Sequence, residues 1–173
     1  GYLKIDYNID AGVGTDNGAE SCGDGLLEHN RAYLRWLKRI REKHPDLVIE
    51  NCASGGNRMD YLTLGLCDLQ STSDQIDYKV YPYIAANMFS ALLPEQAAVW
   101  AYPASHAEEE QPDEEYVIMN MINGLAGRMH LASRLYLHND GNAALGREAV
   151  ALTDAPDAFR KRALPWFHGD VPT

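Results

Sequence analysis

At 173 residues with 46% hydrophobic side chains, the chain is long enough to fold around one sizeable core. Its 25 Asp and Glu against 15 Lys and Arg give a formal charge of −10, which argues against a phosphate-tracking surface and therefore against a nucleic-acid partner. No apolar run approaches the roughly 18–20 residues of a membrane span. The segment from Gly1 to Asn8 does not read as a basic-then-apolar leader, and Cys22, Cys52 and Cys67 form no CxxC, so a reducing, cytoplasmic setting is expected.

The chain begins with Gly1, and its first residues already read as a strand, Tyr2-Leu3-Lys4-Ile5-Asp6. It is therefore expected to be part of a longer protein. A Gly- and Asp-rich loop follows from Asp10 to Gly25, a length that is uncommon in compact domains and often functional. Apolar residues at Leu26, Leu27, Tyr33, Leu34, Leu37 and Ile40 then recur at helical spacing, predicting a helix to Lys43 that His44-Pro45 ends.

Leu47 to Glu50 predicts a second strand, Asn51 to Arg58 a Gly-rich turn, Met59 to Gly65 a short helix and Cys67 to Gln70 a third strand. Helical spacing from Tyr78 to Leu93 stops at Pro94, and Ala97 to Tyr102 predicts a fourth strand. The acidic run from Glu108 to Glu115 suits the solvated start of a helix over Tyr116 to Leu125, because negative charge is favourable at a helix N-terminus. Arg128 to Ala132 and Asn142 to Leu152 predict a last strand and helix. Strand and helix alternate, and the strands end in polar clusters, the pattern of a parallel sheet covered by helices. Such sheets keep their chemistry at the C-terminal ends of the strands. A whole eight-stranded barrel takes about 250 residues, so the chain is expected to be the second half of one, with unclosed sheet edges.

Three clusters carry the candidate chemistry: Lys4 to Asn8, Glu50 to Arg58, and Ser71 to Asp77. On alternate parallel strands, Asp6 and Asp74 would face one another. Two carboxylates so placed are what glycoside hydrolysis requires, one ionised as nucleophile and one protonated to donate to the leaving oxygen, about 5–5.5 Å apart in retaining enzymes. Taken singly, each aspartate reads more readily as a strand-end cap that binds loop amides, because Asp is a common loop residue. Lys4, two residues before Asp6, shares its side of the strand and would favour its ionised form. Gly55-Gly56 allows the backbone to turn tightly or to approach a ligand. Cys52 has no His in these clusters to activate it, which favours a buried or substrate-facing thiol.

No metal or cofactor is expected. Asp6, Asn8 and Asp10 have calcium-loop spacing, but Ala11 and Asn17 stand where an EF-hand has Gly and Glu. The six histidines show no HxH or HxxxH spacing, and neither GxGxxG nor a P-loop is present.

At these residues the sequence resembles the melibiase-type α-galactosidases, glycoside hydrolase family 36. Lys4, Asp6, Tyr7 and Asn8 match a nucleophile motif close to KWDxN, the segment from Glu50 to Arg58 matches one like ENCSSGGGR, and Thr72-Ser73-Asp74 matches TSD. The likeness continues through Leu93 to Ala97 and on to Leu164-Pro165-Trp166, over nearly the whole chain. Ile5 stands where the family has Trp, and Asn57 where it has Gly, which leaves substrate choice open.

The resemblance implies an α/β fold, the TIM (β/α)8 barrel, with residues 1–173 supplying strands four to eight and the family's flanking β domains absent. It implies a retaining hydrolase acting on terminal α-galactosyl groups of oligosaccharides such as melibiose and raffinose. Asp6 would be the nucleophile and Asp74 the acid/base, with Lys4, Asn8, Cys52, Gly55 and Arg58 contacting the galactosyl unit. An N-acetylgalactosaminidase, a raffinose-type galactosyltransferase and a non-catalytic half-barrel are the alternatives. The family's first strands carry sugar contacts that this chain lacks, so activity belongs to the full-length protein, a homo-oligomer among its options, and the isolated segment is expected to be inactive.

Overall fold

The computed structural model describes residues 1–104 and 112–154. Residues 108–111 of the acidic run and the Leu164-Pro165-Trp166 match lie outside the described residues. The chain divides into two compact units, one from Gly1 to Gln70 and one beginning at Ser71.

In the first unit, β1 (Tyr2–Asp6), β2 (Val48–Cys52) and β3 (Leu69–Ser71, whose last residue opens the second unit) are parallel neighbours in that order. The parallel arrangement expected for these three strands is observed. Tyr2 pairs in register with Val48, Lys4 with Glu50 and Asp6 with Cys52. One face of the strands is closed by α1 (Cys22–Lys43), where Leu37, Ile49 and Cys67 form a buried cluster with Ile5, Tyr33 and Ile40 packed on it. Fully burying a Leu or Ile side chain contributes roughly 1.5–3 kcal/mol, so this cluster fixes which face of β1 and β2 looks away from the helix.

The helix begins at Cys22, four residues before its apolar periodicity. Ser21 Oγ accepts the Asp24 N–H at 3.1 Å and Asp24 Oδ2 accepts the Glu20 N–H at 3.1 Å, a reciprocal cap that supports a first turn containing two glycines. Gly25 is required there, since a Cβ would collide with the Thr15 carbonyl. From the last turn of α1, Arg41 donates to Asp68 at 2.6 Å, and Asp68 also accepts the Ile49 N–H at 2.8 Å, tying α1 to β2. Burial raises the Asp68 carboxyl, but these two hydrogen bonds outweigh it and hold the group below its ordinary value. The short α2 (Tyr61–Leu64) is capped by Asp60, which accepts the Leu62 and Thr63 amides at 3.0 Å.

The second unit contains α3 (Tyr81–Asn87), a 3-10 turn over Met88–Ser90, β4 (Ala97–Ala101), α4 (Glu114–Leu125), β5 (Arg128–Leu131), a second 3-10 turn over Leu135–Leu137 and α5 (Asp140–Asp154). Strands β4 and β5 are parallel, with Ala98 opposite Arg128 and Ala101 opposite Leu131. Ala101, Val117, Met121 and Ala149 form its core cluster, with Met129 and Leu145 packed on it. Helix α3 is shorter than the expected Tyr78 to Leu93: Pro82 occupies its first turn, where a missing N–H costs nothing, and the chain tightens into the 3-10 turn at Met88. Asp113 caps α4 by accepting the Tyr116 N–H at 2.7 Å, and Glu114 and Glu115 lie in the first turn as expected from the helix dipole.

Candidate active site

Strand β1 places Tyr2, Lys4 and Asp6 on the face opposite Ile5, which belongs to the helix-side cluster. Their register partners include Glu50 and Cys52, both buried. Lys4 Nζ lies 3.4 Å from Glu50 Oε1, and the Tyr2 hydroxyl donates to Glu50 Oε2. Glu50 is completely buried, and that desolvation pushes its carboxyl up to about 7.

Immediately beyond β2, the Gly-rich turn folds back on itself. Ala53 N–H donates to the Gly55 carbonyl at 3.0 Å and Asn57 N–H to the Ala53 carbonyl at 3.2 Å. Ser54 at φ 44° and Gly55 at φ 82° are consecutive left-handed residues. A side chain at positive φ costs roughly 1–2 kcal/mol, and the turn that holds Ser54 there also brings its N–H to Asp6 Oδ1, to which it donates at 3.2 Å. Gly55 thus serves the turn itself, and the backbone it frees holds the nucleophile candidate.

Of the other expected site residues in this unit, Lys4 and Asn8 flank Asp6 along the chain, Cys52 is its register partner and Gly55 belongs to the turn. Asp6, Asn8 and Lys4 are exposed, whereas Cys52 and Gly55 are buried. The Arg58 guanidinium donates to the Tyr7 and Ile9 carbonyls at 2.7 Å each and sits 4.0 Å from the centre of the Tyr7 ring. Those contacts make Arg58 the clamp that holds the chain leaving β1. Tyr7 is further fixed by its hydroxyl hydrogen bond to His29 and by its ring contact with Tyr33.

In the second unit, the segment after β3 is held by hydroxyls and aromatic rings. Thr72 Oγ1 donates to the Ala98 carbonyl at 2.8 Å and lies 3.2 Å from the Tyr81 hydroxyl, which itself accepts the Trp100 N–H at 2.9 Å. Trp100 Nε1 donates to Ser71 Oγ at 3.1 Å. Asp74 is exposed, and its charge contributes to raising Tyr81 and Tyr102, after burial as the main cause, with Tyr102 pushed up to about 12. Trp100 stacks on Tyr102 and meets His130 edge-on at 5.2 Å between ring centres. Reading the sequence placed Glu50 in a cluster without giving it a role, and did not single out Tyr81, Trp100, Tyr102 or His130. The alternation Trp100-Ala101-Tyr102 at the end of a strand was the available signal, since it puts both rings on one face. Among the described residues, no group of three His, Cys, Asp or Glu gathers as metal ligands would.

No family model and no curated protein matches the chain. Solved structures do. The galactosidase domain of the α-galactosidase–sucrose kinase AgaSK superposes with a TM-score of 0.75 over 95% of this chain at 18% identity. The fold is shared with glycoside hydrolase family 36 α-galactosidases. AgaB from Geobacillus stearothermophilus gives a TM-score of 0.67 over 90% of the chain at 18% identity. A doubly substituted AgaA from the same organism, in complex with raffinose, gives 0.65 over 90% at 16%. The chain spans only about a fifth of these proteins, covering 22%, 21% and 22% of their lengths. The likeness is thus to one segment of a larger galactosidase fold, α/β with parallel strands. No described helix is long and apolar enough to cross a membrane, and all three cysteines are free.

Proposed function

We propose that the chain is the C-terminal part of the catalytic (β/α)8 barrel of a cytoplasmic retaining α-galactosidase, with the remaining strands and flanking β domains supplied by the rest of a longer protein. The observation that carries this reading is the anchoring of Asp6: at the C-terminal end of a parallel strand, it accepts the amide of a left-handed Gly-rich turn at the end of the neighbouring strand. The shared fold and the KIDYN, ENCASGGNR and TSD segments support the same assignment.

In this reading the Asp6 carboxylate attacks the anomeric carbon of a terminal α-galactosyl group as Asp74 gives its proton to the departing glycosidic oxygen. Asp74, now ionised, takes a proton from water, the hydroxide oxygen bonds to the anomeric carbon, and the Asp6 ester bond breaks. The Ser54 amide holds the Asp6 carboxyl in place by donating a hydrogen bond to Oδ1. Lys4, Asn8, Cys52, Gly55 and Arg58 surround the galactosyl unit, Arg58 by holding the Tyr7 to Ile9 segment in place. The substrate is an α-galactoside oligosaccharide of the melibiose and raffinose kind, and no metal or organic cofactor takes part.

The test is covalent labelling of the full-length protein with a fluorinated galactosyl inhibitor. Mass spectrometry should find the adduct on the peptide containing Asp6; labelling at Asp74, or an active enzyme labelled at neither, would overturn the assignment.

A further inference from the structure

We infer that Glu50 is a positioning residue for the galactosyl site, acting on substrate through Lys4; the inference rests on the function proposed above. Glu50 belongs to none of the expected substrate contacts, yet it occupies the register position directly opposite Lys4. It is wholly buried, while the Lys4 side chain keeps 31% of its surface exposed and its Nζ lies 3.4 Å from Glu50 Oε1. The other carboxylate oxygen accepts the Tyr2 hydroxyl. One oxygen is hydrogen-bonded and the other ion-paired, so the carboxyl group lies between two β1 side chains.

Burying a carboxylate is costly, and an apolar residue of similar volume would pack the strand pair at least as well. An acidic group kept there, against a part-exposed lysine, is placed to act on that lysine. Lysine carries its ammonium on a flexible four-carbon stem with three donors. Paired electrostatically with Glu50, the stem is restrained and its ammonium stays on the face shared with Asp6, where its donors suit the hydroxyl oxygens of a pyranose. The geometry therefore divides labour between the two strands: β1 brings the donor, and β2 holds it still.

The experiment is a set of variants of the full-length protein assayed on an aryl α-galactoside. Glu50→Gln keeps the volume and removes the charge; Glu50→Asp keeps the charge and shortens the stem. Positioning through Lys4 predicts that Glu50→Gln lowers kcat/KM by about tenfold to a hundredfold, as the ion pair that restrains Lys4 is broken. Glu50→Asp should retain most of the activity. A packing role predicts the opposite order, because Gln fills the site and Asp leaves a gap. The second arm repeats Glu50→Gln in a Lys4→Met background, where the further loss should fall below about threefold because the group it acts on is gone. Equal losses in both backgrounds, or Gln tolerated better than Asp, would overturn the inference while leaving the galactosidase reading intact. An unsubstituted protein that hydrolyses no α-galactoside overturns that reading, and the inference with it.

Discussion

The ends of β1 and β2 and the segment after β3 both present an exposed aspartate, but they are built from different materials. Asp6 is held by a backbone amide in a strained left-handed turn, beside a buried carboxylate and a lysine. The Ser71 to Asp74 segment is held by neutral groups, the hydroxyls of Thr72 and Tyr81 and the indole of Trp100. The difference is one of restraint: a single backbone amide fixes the Asp6 carboxyl itself, whereas around Asp74 the bonds fix the preceding backbone and leave the carboxyl exposed.

The largest expected effects separate the two aspartates in the full-length protein. Asp6→Ala should abolish hydrolysis even of activated aryl α-galactosides, with partial rescue by azide. Asp74→Ala should cost roughly 10²–10⁴-fold on poor leaving groups and far less on aryl oxides that depart unprotonated. Equal loss on both substrate classes for Asp74→Ala would erase the contrast.

Next in size is a pH effect confined to the charged region. The folded Glu50 carboxyl sits at about 7, above its ordinary value of 4.5, so the folded state binds the proton more tightly. Its contribution to stability is fully present below about 4.5 and is lost as the pH rises through 7. It amounts to about 3 kcal/mol at most, the free-energy equivalent of that shift. Denaturant unfolding of the wild type should show this slope between those pH values, and Glu50→Gln should flatten it. The Asp68 carboxyl, held low by Arg41 and the Ile49 amide, acts in the opposite direction and only at more acidic pH.

In the neutral region, Tyr81→Phe removes the acceptor of the Trp100 N–H and the neighbour of Thr72, and should cost about 1–3 kcal/mol for the buried donor left unpaired. That loss should not vary between pH 5 and 8. The smallest effect is expected at Tyr33, whose buried hydroxyl has no hydrogen-bond partner among the described residues and whose burial pushes it up to about 12. Tyr33→Phe should leave stability unchanged or raise it by about 1 kcal/mol, measured by chemical denaturation.

Much of this architecture is written in local pattern. The apolar runs at Leu3 to Asp6 and Val48 to Glu50 and the periodicity from Leu26 to Ile40 announce strands and a helix, because burying one face demands a fixed spacing whatever surrounds it. The three segments bearing Asp6, Cys52 and Asp74 were legible as clusters for a related reason: polar residues ending apolar strands have few uses other than capping and chemistry. The start of α1 at Cys22 was hidden by two glycines, although Ser21 and Asp24 spelled its cap. Only the tertiary structure decided which groups meet. Parallel register sets Lys4 against Glu50, 46 positions further along the chain, and the left-handed turn delivers the Ser54 amide to Asp6. Sequence spacing carries information along a strand or a helix face, whereas pairing between strands depends on where the intervening helix returns the chain, and burial of a charge such as Glu50 exists only once that packing is complete.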